Sequence, residues 1–498
     1  MPAGSESTVS SKCLQIHFNH FMKIISRNNT KIVATVGPAS RDYECLLQLV
    51  NAGVDIFRLN FSHGTHHDHQ EVIQHITAIN EACNTHVGIL ADLQGPKLRV
   101  GIIKDEPLML EKDDLITFVN EECEGTKERI YMSYKQLAQD VHEGEVILVD
   151  DGKIRLQVVE TNKKDLVRLK VLHGGPLKSR KGVNLPDTNV SLPALTEKDL
   201  KDLEFMLTQP INWIALSFVR SPKDLKQLQA LINAKGHPAK IIAKIEKPEA
   251  VQRIDKIIKY SNGIMIARGD LGIEMPIEQL PLIQKNIIRK CLQWAKPVIV
   301  ATQMMESMIE NPTPSRPEVT DVANAVLDGA DAVMLSGETA TGNYPIKVVE
   351  TMNKIIEIVE NDDTYRVRIP KPNIKDSTYH SDVICFSAVE VAKKIKAKAI
   401  IGMTVSGYTA FKVSSQRPKR KIHIFSDRMY MLATLNLVWG VEGHYYDRFT
   451  TTDDTVNDVV EILKKEGRLE PGDFVVNIAS MPLHARKRTN MLKITEVE

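Results

Sequence analysis

Eight short apolar runs, each followed by a segment of helix length and amphipathic pattern, place this chain in the α/β class and predict a closed (β/α)8 barrel. Two further observations complete the fold class. Short alternating strands interrupt the series after its third run, and the strand–helix alternation starts afresh beyond residue 362. They predict a small inserted β-barrel domain and a separate C-terminal α/β domain. The expected division is an N-terminal extension over 1–27, the barrel over 28–95 and 193–361, the inserted β lid over 96–192, and the C-terminal domain over 362–498.

The barrel runs are Lys31–Val36, Asp55–Leu59, Val87–Ala91, Trp213–Phe218, Ile241–Ile245, Gly263–Ala267, Pro297–Ala301 and Ala332–Leu335. Near-continuous apolar strands are buried on both faces, as in parallel sheets covered by helices. The helical patterns between them include Glu44–Ala52, Glu197–Leu207, Lys223–Ala234, Leu280–Trp294 and Glu318–Leu327. Start signals agree: Ser221 precedes Pro222, and Thr196 stands three residues before Asp199. An open doubly wound sheet uses the same alternation; the count of eight favours closure. Within 96–192 the runs Leu115–Val119, Val146–Val149, Ile154–Val159 and Leu166–Val171 are short and separated by Asp, Gly and Lys turns. The last domain reads as a helix over Ser381–Lys394 and strands at Ala399–Met403, Ile422–Phe425, Phe474–Ile478 and Met491–Ile494.

Composition narrows the function classes. Of 498 residues, 43% are hydrophobic and 26% charged, and the net charge of +1 carries no footprint for a nucleic acid. The basic runs at Arg417–Lys421 and Arg486–Arg488 read as solvated faces. Six cysteines without CxxC spacing form neither a zinc site nor a disulfide framework, which suits a reducing compartment. No apolar run is long enough for a membrane span, and residues 1–27 lack a secretory core; Met22 is an alternative start.

In such barrels chemistry sits at the C-terminal ends of strands. Those positions carry Thr35, Arg58, Asn60, Ser62, Asp92, Lys97, Arg99, Ser217, Arg220, Lys244, Glu246, Arg268, Asp270, Thr302, Gln303 and Glu338. Lys244 and Glu246 are two apart on one strand, so both face the same side. Asp270 lies one strand over, between Gly269 and Gly272. Two carboxylates without a neighbouring Cys or His suit a hard cation such as Mg2+ or Mn2+. A lysine and several arginines beside such a cation suit phosphoryl transfer, and a structural ion pair is the bland alternative for Lys244 and Glu246. Neither a Walker A loop nor a GxGxxG turn follows a strand.

Several segments together resemble the pyruvate kinase family. They are Phe57–Gly64, Lys181–Pro186, Ile241–Lys247, Arg268–Gly272, Ala301–Met304 and Leu335–Ala340, in that family's order and with the inserted domain in its place. The resemblance implies a magnesium-dependent enzyme acting on phosphoenolpyruvate, ADP/ATP and pyruvate, working as a cytoplasmic homotetramer. It implies that Glu246 and Asp270 hold the divalent ion and that Lys244 neutralises the phosphoryl group in flight. By the same resemblance Arg58 contacts that group, and Gly269 and Asp270 receive the substrate carboxylate through their amides. Thr302 helps to protonate the enolate, and Arg99 and Lys181 meet the nucleotide phosphates. A lyase or mutase on a similar barrel, or a sensor that has lost catalysis, remain the alternatives; the first lacks Lys181–Pro186 and the second would lack Lys244, Glu246 or Thr302.

The chain departs from many pyruvate kinases in two places. Where they read Asp-Thr-Lys-Gly-Pro-Glu, it reads Asp92-Leu93-Gln94-Gly95-Pro96-Lys97. Asn60, Ser62 and Asp92 are then the remnant of a monovalent-cation site, with the ammonium of Lys97 replacing K+, so K+ is expected to be dispensable. The second departure is the possible effector loop Thr404, Ser406, Gly407 and Thr409, where Val405 and Tyr408 replace a frequent lysine and arginine and the segment Ser480–Thr489 lacks glycines. Regulation by fructose 1,6-bisphosphate is not expected, and a plain helix cap explains the loop equally well.

Overall fold

The computed structural model describes residues 28–362, 371–448, 451–481 and 488–498. The extension 1–27, and Arg486 and Lys487 of the second basic run, lie outside them.

Eight parallel strands close into a barrel: β1 (Lys31–Val36), β2 (Ile56–Asn60), β3 (Gly88–Asp92), β4 (Trp213–Leu216), β5 (Lys240–Ile245), β6 (Gly263–Ala267), β7 (Val298–Ala301) and β8 (Ala332–Leu335). They are hydrogen-bonded in chain order, and β8 returns to β1 with Lys31 opposite Ala332. Residues alternate between two cores. Val33, Ile56, Leu90, Trp213, Ala215, Ile242, Met265, Ile299 and Met334 fill the interior, while Ile32, Phe57, Ile89, Ile214, Ile241 and Ile264 pack under the helices. The period of two therefore fixes which side chains reach the mouth. Thr35, Arg58, Asp92, Ser217, Lys244 and Glu246 continue the interior series at the strands' C-terminal ends.

The expected helices form, and their caps explain the starts. Thr196 with Asp199, and Ser221 with Asp224, form capping boxes, and Pro222 occupies the first turn. The helix read from Glu318 begins earlier, at Arg316, because Ser315 caps it with Glu318. Two departures matter at the mouth. The fourth strand ends at Leu216, two residues before Phe218, whose φ of 52° leaves the extended region. Arg268–Glu274, which holds Asp270 between its two glycines, is a helix that starts directly from the end of β6.

Between β3 and β4 lies a six-stranded sheet in the order Val183–Asn184, Val146–Val149, Ile154–Thr161, Leu166–His173, Leu115–Val119, Ile130–Tyr131. Single bridges from Arg99 to Gly182 and from Val100 to Met132 link its two edges, giving the inserted unit its barrel character. It has its own core around Phe118, Ile147, Leu156 and Leu169. At its entrance Gly95 sits at φ +68° and donates to Asp199 Oδ1 at 3.0 Å; a side chain there would be strained and would meet Phe218.

The C-terminal sheet runs Val441–Tyr445, Lys421–Ser426, Ala399–Met403, Phe474–Ala479, Met491–Glu496, with the last strand antiparallel. The edge strand Val441–Tyr445 escapes a reading of apolar runs, because its sequence is Val-Glu-Gly-His-Tyr. This domain closes the barrel floor: Trp213 Nε1 donates to Thr434 O at 3.1 Å, Lys31 Nζ to Val441 O at 3.1 Å, and Arg417 pairs with Asp331 at 3.0 Å.

Candidate active site

Five strand ends, those of β1 to β5, converge on one charge network. Arg58 at the end of β2 reaches Asp92 through Nε at 2.8 Å and Nη2 at 2.7 Å, and Thr35 Oγ1 through Nη1 at 3.0 Å. Lys244 Nζ lies 3.2 Å from Asp92 Oδ1, 3.0 Å from Glu246 Oε1 and 2.8 Å from Ser217 Oγ. Glu246 accepts the Phe218 N–H at 2.6 Å, which is what the left-handed turn after β4 provides. All of these charged side chains are nearly enclosed. Burial raises the Asp92 pKa, but the cations Lys244 and Arg58 outweigh it and hold Asp92 below the usual carboxylate range. Burial would lower Lys244, yet Asp92 and Glu246 keep it above its ordinary value. Glu246 stands above the usual range, first because it is buried and then because Asp270 repels it, against the pull of Lys244.

The β6 and β7 ends add a second group. Thr302 sits at φ +69° and Gln303 at φ +55°, conformations costly for non-glycine residues and frequent where side chains are held for function. Thr302 Oγ1 accepts the Gly269 N–H at 2.8 Å. Arg268 turns away from the mouth to Asp321, at 2.7 Å, and donates to Thr302 O at 2.8 Å, fixing that strained turn from behind. Glu338 holds the backbone of Met305 and Ser336 and is structural. Arg220 donates to the carbonyls of Val190 and Leu192, at the return from the lid.

The divalent-cation expectation meets a suitable donor set. Glu246 and Asp270 offer hard oxygens, and their mutual repulsion, offset in part by Lys244, is of the kind a cation relieves. A further acid enters that sequence reasoning missed. Glu274 stands four residues after Asp270, on the same face of the helix Arg268–Glu274. Its Oε1 takes Lys247 Nζ at 2.6 Å and Asn184 Nδ2 of the lid at 2.9 Å; its Oε2 is buried without a hydrogen-bond partner. Asp270, Glu274, Lys97, Asn184 and Lys247 line one cleft between lid and barrel. The i, i+4 spacing from Asp270 was the available signal.

Arg99 donates to Arg180 O at 3.0 Å, and Lys181 pairs with Asp150 at 2.8 Å, so both lie on the lid near the cleft. His63 is held below its ordinary pKa by burial and then by Lys97, Arg99, Arg58 and Lys198, which marks a cationic rim around it. Lys97 is exposed rather than set against Asp92. The reason is that Arg58 and Lys244 already occupy both Asp92 oxygens. Asn60 Oδ1 accepts the Ser62 N–H at 3.1 Å, and Leu93 is buried.

At the C-terminal loop, Thr404 Oγ1 accepts the Gly407 N–H at 2.9 Å, and Thr409 Oγ1 bonds Thr489 Oγ1 at 2.7 Å. Both hydroxyls are thus committed within the protein, and Ser406 alone of the four is exposed. Tyr408 and Lys412 both engage Asp382, so the ammonium of Lys412 is neutralised.

The sequence matches the family described as pyruvate kinase, barrel domain, over residues 27–349, and pyruvate kinase, alpha/beta domain, over 382–495. It is 42% identical over 465 residues to the pyruvate kinase of Corynebacterium glutamicum, covering 93% of this chain and 97% of that one. It is 40% identical over 470 residues to that of Mycobacterium tuberculosis, covering 94% and 98%. The crystal structure of a pyruvate kinase from Cryptosporidium parvum superposes with a TM-score of 0.88 at 35% identity, over 94% of this chain and 96% of that chain. With its floor, lid and charged mouth in that family's arrangement, the chain belongs to the pyruvate kinase family.

Proposed function

We propose that Lys244, Arg58 and Thr302 carry the family's reaction in this chain, the transfer of a phosphoryl group from phosphoenolpyruvate to ADP that yields ATP and pyruvate. The observation behind this reading is Lys244: an ammonium at the barrel mouth, above its ordinary pKa and within 3.0 Å of Glu246. Arg58 and Lys244 hold the phosphoryl oxygens. The terminal ADP oxygen attacks phosphorus, the phosphorus–enol oxygen bond breaks, and its electron pair stays on the enolate. Lys244, already fixed by Asp92 and Ser217, is preorganised for the charge that develops there. The Asp270 amide receives the substrate carboxylate, joined by the Gly269 amide as it leaves Thr302 Oγ1, and Thr302 directs a proton from water to the methylene carbon.

Glu246 and Asp270 would hold Mg2+ or Mn2+, which supplies charge neutralisation at the phosphoryl and enolate oxygens when bound. Arg99 and Lys181 meet the nucleotide, and the lid over 96–192 excludes the water that would otherwise compete with ADP. The barrel over 28–95 and 193–361 is the catalytic unit, and 362–498 the assembly and effector unit. Asn60, Ser62 and Asp92 are the remnant of a monovalent-ion site in which Arg58 and Lys244 hold both Asp92 oxygens and Leu93 is buried, with Lys97 on the adjoining cleft, so K+ is dispensable. The protein works in the cytoplasm as a homotetramer; among the described residues no helix is long and apolar enough to cross a membrane. The test is ATP formation from phosphoenolpyruvate and ADP in a coupled assay with Mg2+. Activity that is absent with Mg2+ and with Mn2+ would overturn this assignment.

A further inference from the structure

The C-terminal sheet carries a cluster that the phosphoryl-transfer site does not use. In the parallel register His423 lies opposite Glu442 and Phe425 opposite His444, so His423, Glu442 and His444 share one face of two neighbouring strands. One ligand atom from each lies within 4.8 Å of the others. His423 Nδ1 and His444 Nε2 are 3.0 Å apart, and His423 Nδ1 is 3.8 Å from Glu442 Oε2. Tetrahedral bonds of about 2.0–2.1 Å place neighbouring ligand atoms roughly 3.3 Å apart, so the two His423 separations bracket that spacing and the third, within 4.8 Å, closes by rotation of the Glu442 side chain.

We propose that His423, Glu442 and His444 bind a transition-series divalent cation of the zinc class, with an open fourth position for water. The surroundings favour ligation over a chance contact. His444 Nδ1 lies 3.4 Å from Glu466 Oε2, so its proton faces that carboxylate and Nε2 presents a lone pair to the cluster. Phe425 stacks on the same ring at 4.9 Å and fixes its orientation. His423 is 3% exposed, so its imidazole is held inside the domain. Glu442 and Glu466 supply the negative charge that faces the ion, against the nearby cations Lys421, Arg468 and Lys31. Lys421 at 3.6 Å and Arg468 at 3.4 Å also face Glu442; Arg468 is 38% exposed and can turn to solvent as the ion enters. Two imidazoles select a borderline ion over Mg2+, so this site does not compete with the all-oxygen set at the barrel mouth. Bound there, the ion ties the edge strand Val441–Tyr445 to its neighbour, beside the Lys31 contact to the barrel floor.

The experiment is equilibrium dialysis of the full chain against Zn2+ in excess Mg2+, with thermal unfolding alongside. His444→Ala and Glu442→Gln are compared with the wild type. The expected result is one zinc equivalent per wild-type chain and a zinc-dependent rise in midpoint. Zinc affinity should be at least about tenfold weaker in both variants, with Mg2+-dependent turnover unchanged. A tetrahedral Co2+ visible spectrum in the wild type, absent in the variants, reports the same site. If His444→Ala does not fold, Glu442→Gln decides alone. A wild type without bound zinc, or a folded variant that retains wild-type affinity, overturns the proposal.

Discussion

Replacing Lys244 by Met removes an ammonium that stands 3.0 Å from Glu246, 3.2 Å from Asp92 and 2.8 Å from Ser217 Oγ. Asp92 keeps both contacts to Arg58, but Glu246 keeps only one neutral donor, the Phe218 N–H, in a site that is 1% exposed. Deleting one partner of a buried pair costs about 3–5 kcal/mol, because the remaining charge is uncompensated. The variant should therefore unfold at lower temperature in a chelator. Mg2+ should raise its midpoint by more than it raises that of the wild type, since a cation on Glu246 and Asp270 offsets the lost ammonium. Catalysis cannot be restored in that way. Losing a charge aimed at the transition state costs at least about 3 kcal/mol, roughly a hundredfold in turnover. Differential scanning calorimetry with and without Mg2+, beside the coupled assay at saturating substrates, measures both effects. A variant with a tenth of wild-type turnover, or with the wild-type response of its midpoint to Mg2+, refutes the reasoning.

Glu246→Ala and Asp270→Ala should each raise the Mg2+ needed for half activity; an unchanged metal curve in both rules out this ligand pair. Asn184→Ala removes a lid hydrogen bond to the charged Glu274 carboxylate, typically about 1.5–3 kcal/mol, so KM for ADP should rise about tenfold with KM for phosphoenolpyruvate unmoved; equal changes in both constants would deny the coupling to the lid. In K+-free buffer with a bulky organic cation, added K+ should raise turnover less than tenfold, equivalent to about 1.4 kcal/mol, and Lys97→Glu should create a K+ requirement. Fructose 1,6-bisphosphate should not activate the enzyme, because Tyr408 and Lys412 are both committed to Asp382; strong activation lost in Ser406→Ala would show otherwise.

Much of the site was legible because strand chemistry is periodic. Lys244 and Glu246 in an apolar run can only share the interior side, and the contacts among Lys244, Asp92 and Arg58 follow once the strands close in order. The helix at Arg268 was not legible. Its two glycines disfavour a helix, and its first residue, Arg268, is held by Asp321 and Thr302 from segments distant in sequence. The edge strand Val441–Tyr445 was invisible for a related reason: it is held by pairing with Lys421–Ser426, and not by an apolar pattern of its own.

By itself the sequence determined the barrel, the position of the insertion, and the strand-end residues Arg58, Asp92, Lys244 and Glu246 at the mouth, while Arg268 turns away from it and Glu274 was missed. Local periodicity, caps and residue chemistry act over a few neighbours and survive without knowledge of the rest. The tertiary structure decided which charges meet. Asp92 is claimed by Arg58 and Lys244 from two different strands, and this leaves Lys97, five residues along the chain from Asp92, facing solvent. Glu274 bonds Asn184 across 90 residues. His423 meets Glu442 and His444 through strand register alone. Charge pairing depends on distances of a few ångströms between segments far apart in sequence, and those distances exist only once the chain has folded.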